Sequence, residues 1–151
     1  MLCLTVENED TFHEIAATNP GVLLILTSCA GSAVRRLLEL LPEDLRFLHF
    51  GDGDPAASNI LRALRQKSGR DIQPLLIPGH GSHKHRPLAK ADRCTLQRLL
   101  DSDLPASVLV HLEILLGNGV PVDFEQEGIP IHKVWEVIAC DSRITSPQTL
   151  V

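Results

Sequence analysis

Apolar residues recur along the first half of the chain in two alternating patterns. Short, mainly apolar runs stand at 2–6 (LCLTV), 22–26 (VLLIL), 45–50 (LRFLHF) and 72–77 (IQPLLI), each of strand length. Segments with helical spacing lie between them: 9–18 with Phe12, Ile15 and Ala16, 32–41 with Ala33, Leu37, Leu38 and Leu41, and 55–68 with Ile60, Leu61 and Leu64. Turn residues punctuate the series at Asn19-Pro20-Gly21, Pro42, Gly69 and Pro78-Gly79. The run at 22–26 is apolar throughout, as in a strand buried on both faces. The order βαβαβαβ with short connections predicts an α/β fold built on a four-stranded parallel sheet with right-handed crossovers.

The second half changes character. Residues 80–91 (HGSHKHRPLAKA) predict a polar loop, and 92–100 and 105–116 predict two helices, the second apolar enough to be largely buried. Gly117-Asn118-Gly119 closes that helix, and the tail beyond about residue 141 is poor in apolar residues and is expected to fray. The expected organisation is an α/β core over 1–79, with a basic loop, two helices and a small C-terminal helical extension over 80–151 of the same domain.

Composition adds exclusions. In 151 residues, 44% are hydrophobic and only 3% aromatic, so the core is built from Leu, Ile, Val and Ala. No apolar stretch approaches the roughly 18 residues of a membrane span, and MLCLTVENED lacks the basic start and cleavage pattern of a signal peptide. The chain enters a strand-like run at once, which fits a domain cut from something longer. The cysteines (Cys3, Cys29, Cys94, Cys140) form no CxxC pair, which speaks for free thiols in a reducing cytoplasm. A net charge of -5 argues against non-specific coating of nucleic acid, yet a carboxylate cluster that binds cations lowers the formal charge by itself. With no tyrosine, the chain cannot form a phosphotyrosyl intermediate of its own.

The chemistry-bearing residues fall at strand ends, where ligands sit in parallel α/β sheets. After the third run stands Gly51-Asp52-Gly53-Asp54-Pro55. Asp54 suits a helix N-cap, and Pro55 suits the first helical position. That reading explains Asp52 poorly, because an acid at the end of a buried strand is desolvated unless something pairs with it. Side chains two apart in extended backbone point the same way, so both carboxylates could face one cation. Glu7 follows the first strand as Asp52 follows the third. If those strands are neighbours, three carboxylates converge; the competing reading has Glu7 solvating a helix start beside Glu9 and Asp10.

At this point the sequence resembles a family. Val6-Glu7-Asn8 with Phe12, then Gly31-Ser32 before Arg36-Leu37-Leu38, then His49-Phe50-Gly51-Asp52-Gly53-Asp54-Pro55, and finally Glu125-Gln126-Glu127 are similar to the C-terminal Toprim domain found in the nuclease component of Wadjet-type anti-plasmid systems. The match covers roughly residues 4–130. Gly53 stands where that family has a larger apolar residue, and Ser58 where glycine is common. The resemblance implies a Toprim-like sheet and a metal-dependent DNA endonuclease. In it Glu7, Asp52 and Asp54 would be catalytic and hold one or two Mg²⁺ or Mn²⁺ ions, with Glu127 and Glu125 as further ligands. It also implies double-stranded plasmid DNA as substrate and SMC-type, condensin-like motor subunits as partners, in the cytoplasm and without a membrane. A solvated acidic turn after Pro121 is the competing reading for Glu125 and Glu127.

Weaker signals remain. Gly31 and Ser32 open the second helix, where backbone N–H groups suit a phosphate, although a glycine there also serves a plain turn. His83, Lys84 and Arg86, with Lys90 beyond, form the one locally basic stretch. It reads as a DNA-backbone contact, a solvated loop or, with His80 and His85, a zinc site. A non-catalytic Toprim-like module that binds nucleic acid or a partner is the alternative function. A nucleotide-binding domain with phosphate at Gly31 lacks GxGxxG and a P-loop lysine. The apolar helix at 105–116 leaves room for a homodimer.

Overall fold

Every apolar run of the first half forms a strand, and every segment of helical spacing between them a helix. A computed structural model describes residues 1–28, 30–77, 89–118 and 128–140. In order these form β1 (Leu2–Val6), α1 (Glu9–Ala17), β2 (Leu23–Leu26), α2 (Ser32–Leu40), β3 (Arg46–Phe50), α3 (Pro55–Ser68) and β4 (Ile72–Pro74). Three further helices follow: α4 (Lys90–Leu100), α5 (Ala106–Asn118) and α6 (Ile131–Cys140).

The four strands are parallel and lie in the order β2-β1-β3-β4. The fold is thus the expected α/β arrangement, a four-stranded parallel sheet flanked by helices. β1 is flanked on both sides, and all five of its residues are buried. Side chains alternate between the two sheet faces. Cys3 and Phe47 join α3, α4 and α5 through Leu61, Leu96 and Leu112. Leu4, Leu48 and Phe50 join α1 and α6 through Ile15, Val134 and Ile138.

Local chemistry sets the helix ends as the residues suggest. Asn8 caps α1 by accepting from the Thr11 N–H at 2.9 Å. Gly69 ends α3 at φ 67°, a left-handed conformation natural to glycine, and its N–H returns to the Arg65 carbonyl. Arg70 then ties α3 to α2, donating to the carbonyls of Leu38, Glu39 and Leu41 at the end of α2.

Two features differ from the expectation. β2 is an edge strand rather than one buried on both faces, and Leu23 is exposed. β4 stops at Pro74 instead of running to residue 77. Its partner β3 ends at Phe50, and the Leu75 N–H, donating to the His49 carbonyl at 2.7 Å, extends the pairing by one bond. Leu75 and Ile77 stay buried without a ladder. The small C-terminal helical extension is present as expected, in one helix beyond the two of the second half. This is α6, which places Val134 and Ile138 one turn apart in the core and anchors Trp135 Nε1 on the Thr18 hydroxyl at 3.0 Å.

Candidate metal centre

Pairing of β1 with β3 puts Val6 opposite Phe50. The Glu7 N–H donates to the Phe50 carbonyl at 3.1 Å, carrying the ladder one residue past both strands. Glu7 and Gly51 therefore leave the sheet side by side. The adjacency that a shared carboxylate site requires is present.

Asp54 is an N-cap: its Oδ1 accepts from the Ala57 N–H at 2.7 Å, with Pro55 opening α3. Glu7 sits deeper. One carboxylate oxygen, Oε2, is buried without a hydrogen-bond partner, while the Asp52 backbone N–H donates to the carboxylate. Burial first, then the negative charges of Asp52 and Asp54, push its pKa from 4.5 up to about 7, against the Asp52 hydrogen bond that lowers it. Asp52 and Asp54 thus both act electrostatically on Glu7.

Two histidines complete the surroundings, and the sequence alone assigns a role to neither. The Thr5 hydroxyl donates to the Leu48 carbonyl at 3.1 Å and so accepts from His49 Nδ1, 2.9 Å away. His49 Nε2 then carries the lone pair, buried without a partner, and burial lowers the pKa of the ring to about 4. His111 of α5 reaches across to the Gly53 carbonyl, its Nε2 at 2.9 Å. A small, open cleft lies here, lined by His49, Gly51, Asp52, Gly53, Ser58 and His111 among others. Each histidine leaves a faint signal, as a polar ring interrupting an apolar strand (RFLHF) or an apolar helix (VLVHLEILL).

Gly51 is required for steric reasons. A Cβ there would stand 2.8 Å from His49 Nε2 and 2.9 Å from Glu7 Oε2. The carboxylate can swing aside, but the His49 ring is buried and tied to Thr5. Gly51→Ala is therefore expected to cost about 1–2 kcal/mol in urea unfolding and to displace Glu7. Unchanged stability would show that the ring moves freely.

The donors suit a divalent cation by type, since carboxylate oxygens are what Mg²⁺ and Mn²⁺ take, and Glu7 Oε2 is a buried oxygen without a hydrogen-bond partner. Among the described residues, no three His, Cys, Asp or Glu side chains form a ready cluster. Mg²⁺ commonly binds through one or two carboxylates, with waters and phosphate oxygens completing the shell. A two-carboxylate site is compatible with this geometry.

The remaining candidates are distributed differently. Gly31 is the extended N-cap residue of α2, with no side-chain cap, and Ser32 begins that helix. Lys90 is exposed at the start of α4. His83, Lys84, Arg86, Glu125 and Glu127 lie outside the described residues, as do His80 and His85. Cys3, Cys94 and Cys140 are free thiols, and burial pushes the Cys3 pKa up to about 12. Among the described residues, no helix is long and apolar enough to cross a membrane.

Compared with known proteins, the chain matches the family model described as Wadjet protein JetD, C-terminal, over residues 2–138. No curated protein matches it significantly.

Proposed function

The chain belongs to the JetD C-terminal family of the Wadjet anti-plasmid defence system, and from that premise we propose that it is a metal-dependent DNA endonuclease. The observation that carries this reading is the electrostatic coupling of Glu7 to Asp52 and Asp54 at the ends of two paired strands. A buried carboxylate oxygen without a hydrogen-bond partner, facing the charges of two further acids, is unfavourable unless a cation offsets them.

A bound Mg²⁺ or Mn²⁺ supplies Lewis-acid chemistry, activating water for in-line attack and stabilising the leaving 3′ oxygen. Glu7 and Asp52 would hold the cation at the ends of the paired strands β1 and β3. Asp54 contributes its carboxylate while one oxygen keeps the α3 cap. Gly51 gives the Glu7 carboxylate and the His49 ring the room they occupy beside it. Glu125 and Glu127 are further ligands in this proposal, and Gly31, Ser32, His83, Lys84, Arg86 and Lys90 contact phosphates. Phosphodiester hydrolysis is chiefly a matter of charge stabilisation, so an acidic chain can perform it with a cation. SMC-type motor subunits bring plasmid DNA to it.

The direct experiment incubates supercoiled plasmid with the protein and Mn²⁺. Nicked or linear product is expected, suppressed by chelator and by Glu7→Ala. Cutting by Glu7→Ala at the parental rate would overturn the site. One observation favours a second reading, a non-catalytic module for nucleic acid or a partner: the described acids form no ready three-donor cluster. Calorimetry distinguishes the two, because that module would bind no Mn²⁺ at millimolar concentration while folded.

A further inference from the structure

Three tethers hold the loop at 51–54, each from a different element. The Asp52 N–H is bound by the Glu7 carboxylate beyond β1. Asp54 Oδ1 is bound by the Ala57 N–H within α3. The third is the 2.9 Å contact between His111 Nε2 and the Gly53 carbonyl, which spans 58 positions of sequence. A carbonyl only accepts, so Nε2 carries the hydrogen.

The third tether acts on the part of the loop that most needs one. Glycines flank Asp52 on both sides, and glycine loses more conformational freedom on ordering than any other residue. The Gly53 carbonyl belongs to the planar peptide that joins Gly53 to Asp54. Fixing its direction fixes that plane, and with it the angle at which the Asp54 side chain leaves the backbone relative to Asp52. On α5 the neighbouring positions Val108, Leu112 and Leu115 are buried in the core. A polar ring beside them has a purpose in the carbonyl it holds.

We infer that His111 is a positioning residue that holds the Asp52–Asp54 pair in register through the Gly53 carbonyl. It makes the second half of the chain part of the site. The ordering of the loop stands on the geometry above, and only its consequence for cation binding rests on the nuclease reading.

The test compares wild type with His111→Leu, His111→Asn and His111→Gln. A Gln amide donor reaches the position of Nε2, whereas that of Asn falls short. Hydrogen–deuterium exchange of peptides covering 51–58 is expected to quicken about tenfold in the Leu and Asn variants, the effect of one lost hydrogen bond, and to return near wild type in Gln. Mn²⁺ affinity, read by electron paramagnetic resonance, is expected to fall about 3- to 10-fold in Leu and Asn and to recover in Gln. If Leu fails to fold, Asn carries the comparison. Exchange as slow in Asn as in wild type would overturn the inference. So would Gln exchanging as fast as Asn, since packing of the ring would then be responsible. The expected exchange pattern in a protein that binds no Mn²⁺ would support the tether and remove the nuclease reading.

Discussion

Asp52→Ala is expected to lower Mn²⁺-dependent plasmid cleavage by at least about 100-fold, the usual scale for removing a group that stabilises transition-state charge. Asp52 stands beyond β3 and outside α3, so alanine removes no cap. It also removes the largest electrostatic repulsion acting on Glu7. Asp54 should behave differently because it has two duties. Asp54→Ala loses the bond to the Ala57 N–H and about 1 kcal/mol of helix capping. Asp54→Ser keeps a capping oxygen but removes the charge, and is expected to restore stability without restoring cleavage. Plasmid nicking paired with thermal melting of the three variants reads both effects. If Asp54→Ser restores cleavage along with stability, Asp54 is only a cap; if Asp52→Ala cleaves normally, the site lies elsewhere.

The sheet was legible because parallel strands leave a plain trace, four short apolar runs separated by segments of helical spacing. The candidate site was legible for a related reason. In such a sheet, chemistry gathers where strands end, and Glu7 and Asp52 each follow a strand closely. Their adjacency was not contained in the order of elements, since it depends on β1 lying next to β3. An all-apolar run such as VLLIL also cannot distinguish an edge from a centre, and β2 proved to be an edge with Leu23 exposed. His49 and His111 are harder cases. A lone histidine in an apolar element has many uses, and only the contacts with Thr5 and the Gly53 carbonyl reveal which one applies.

Glu7→Gln should make the metal-free protein more stable at pH 8 while abolishing cation binding. Folding raises the Glu7 carboxyl from 4.5 to about 7, so the folded state binds this proton more tightly than the unfolded chain. Below pH 4.5 both states are protonated and the full native preference is present. As the pH climbs through 7, ionisation must occur in a desolvated site facing two other acids, and stability is lost. At about 1.36 kcal/mol per unit, reduced for the partly exposed side of the residue, the loss is of order 2–3 kcal/mol. Glutamine keeps the shape and cannot ionise, so the difference between the proteins should grow from pH 5 to pH 8 in urea unfolding with chelator present. Mn²⁺ should reverse the order. A cation stabilises the ionised carboxylate, and its binding strengthens as the proton leaves. The wild type should gain stability with added Mn²⁺, and more so at pH 8, while Glu7→Gln stays unresponsive. A Gln variant less stable than wild type at pH 8 in chelator would mean that some group within the chain already neutralises Glu7. The cluster would then be a structural ion network rather than a cation site.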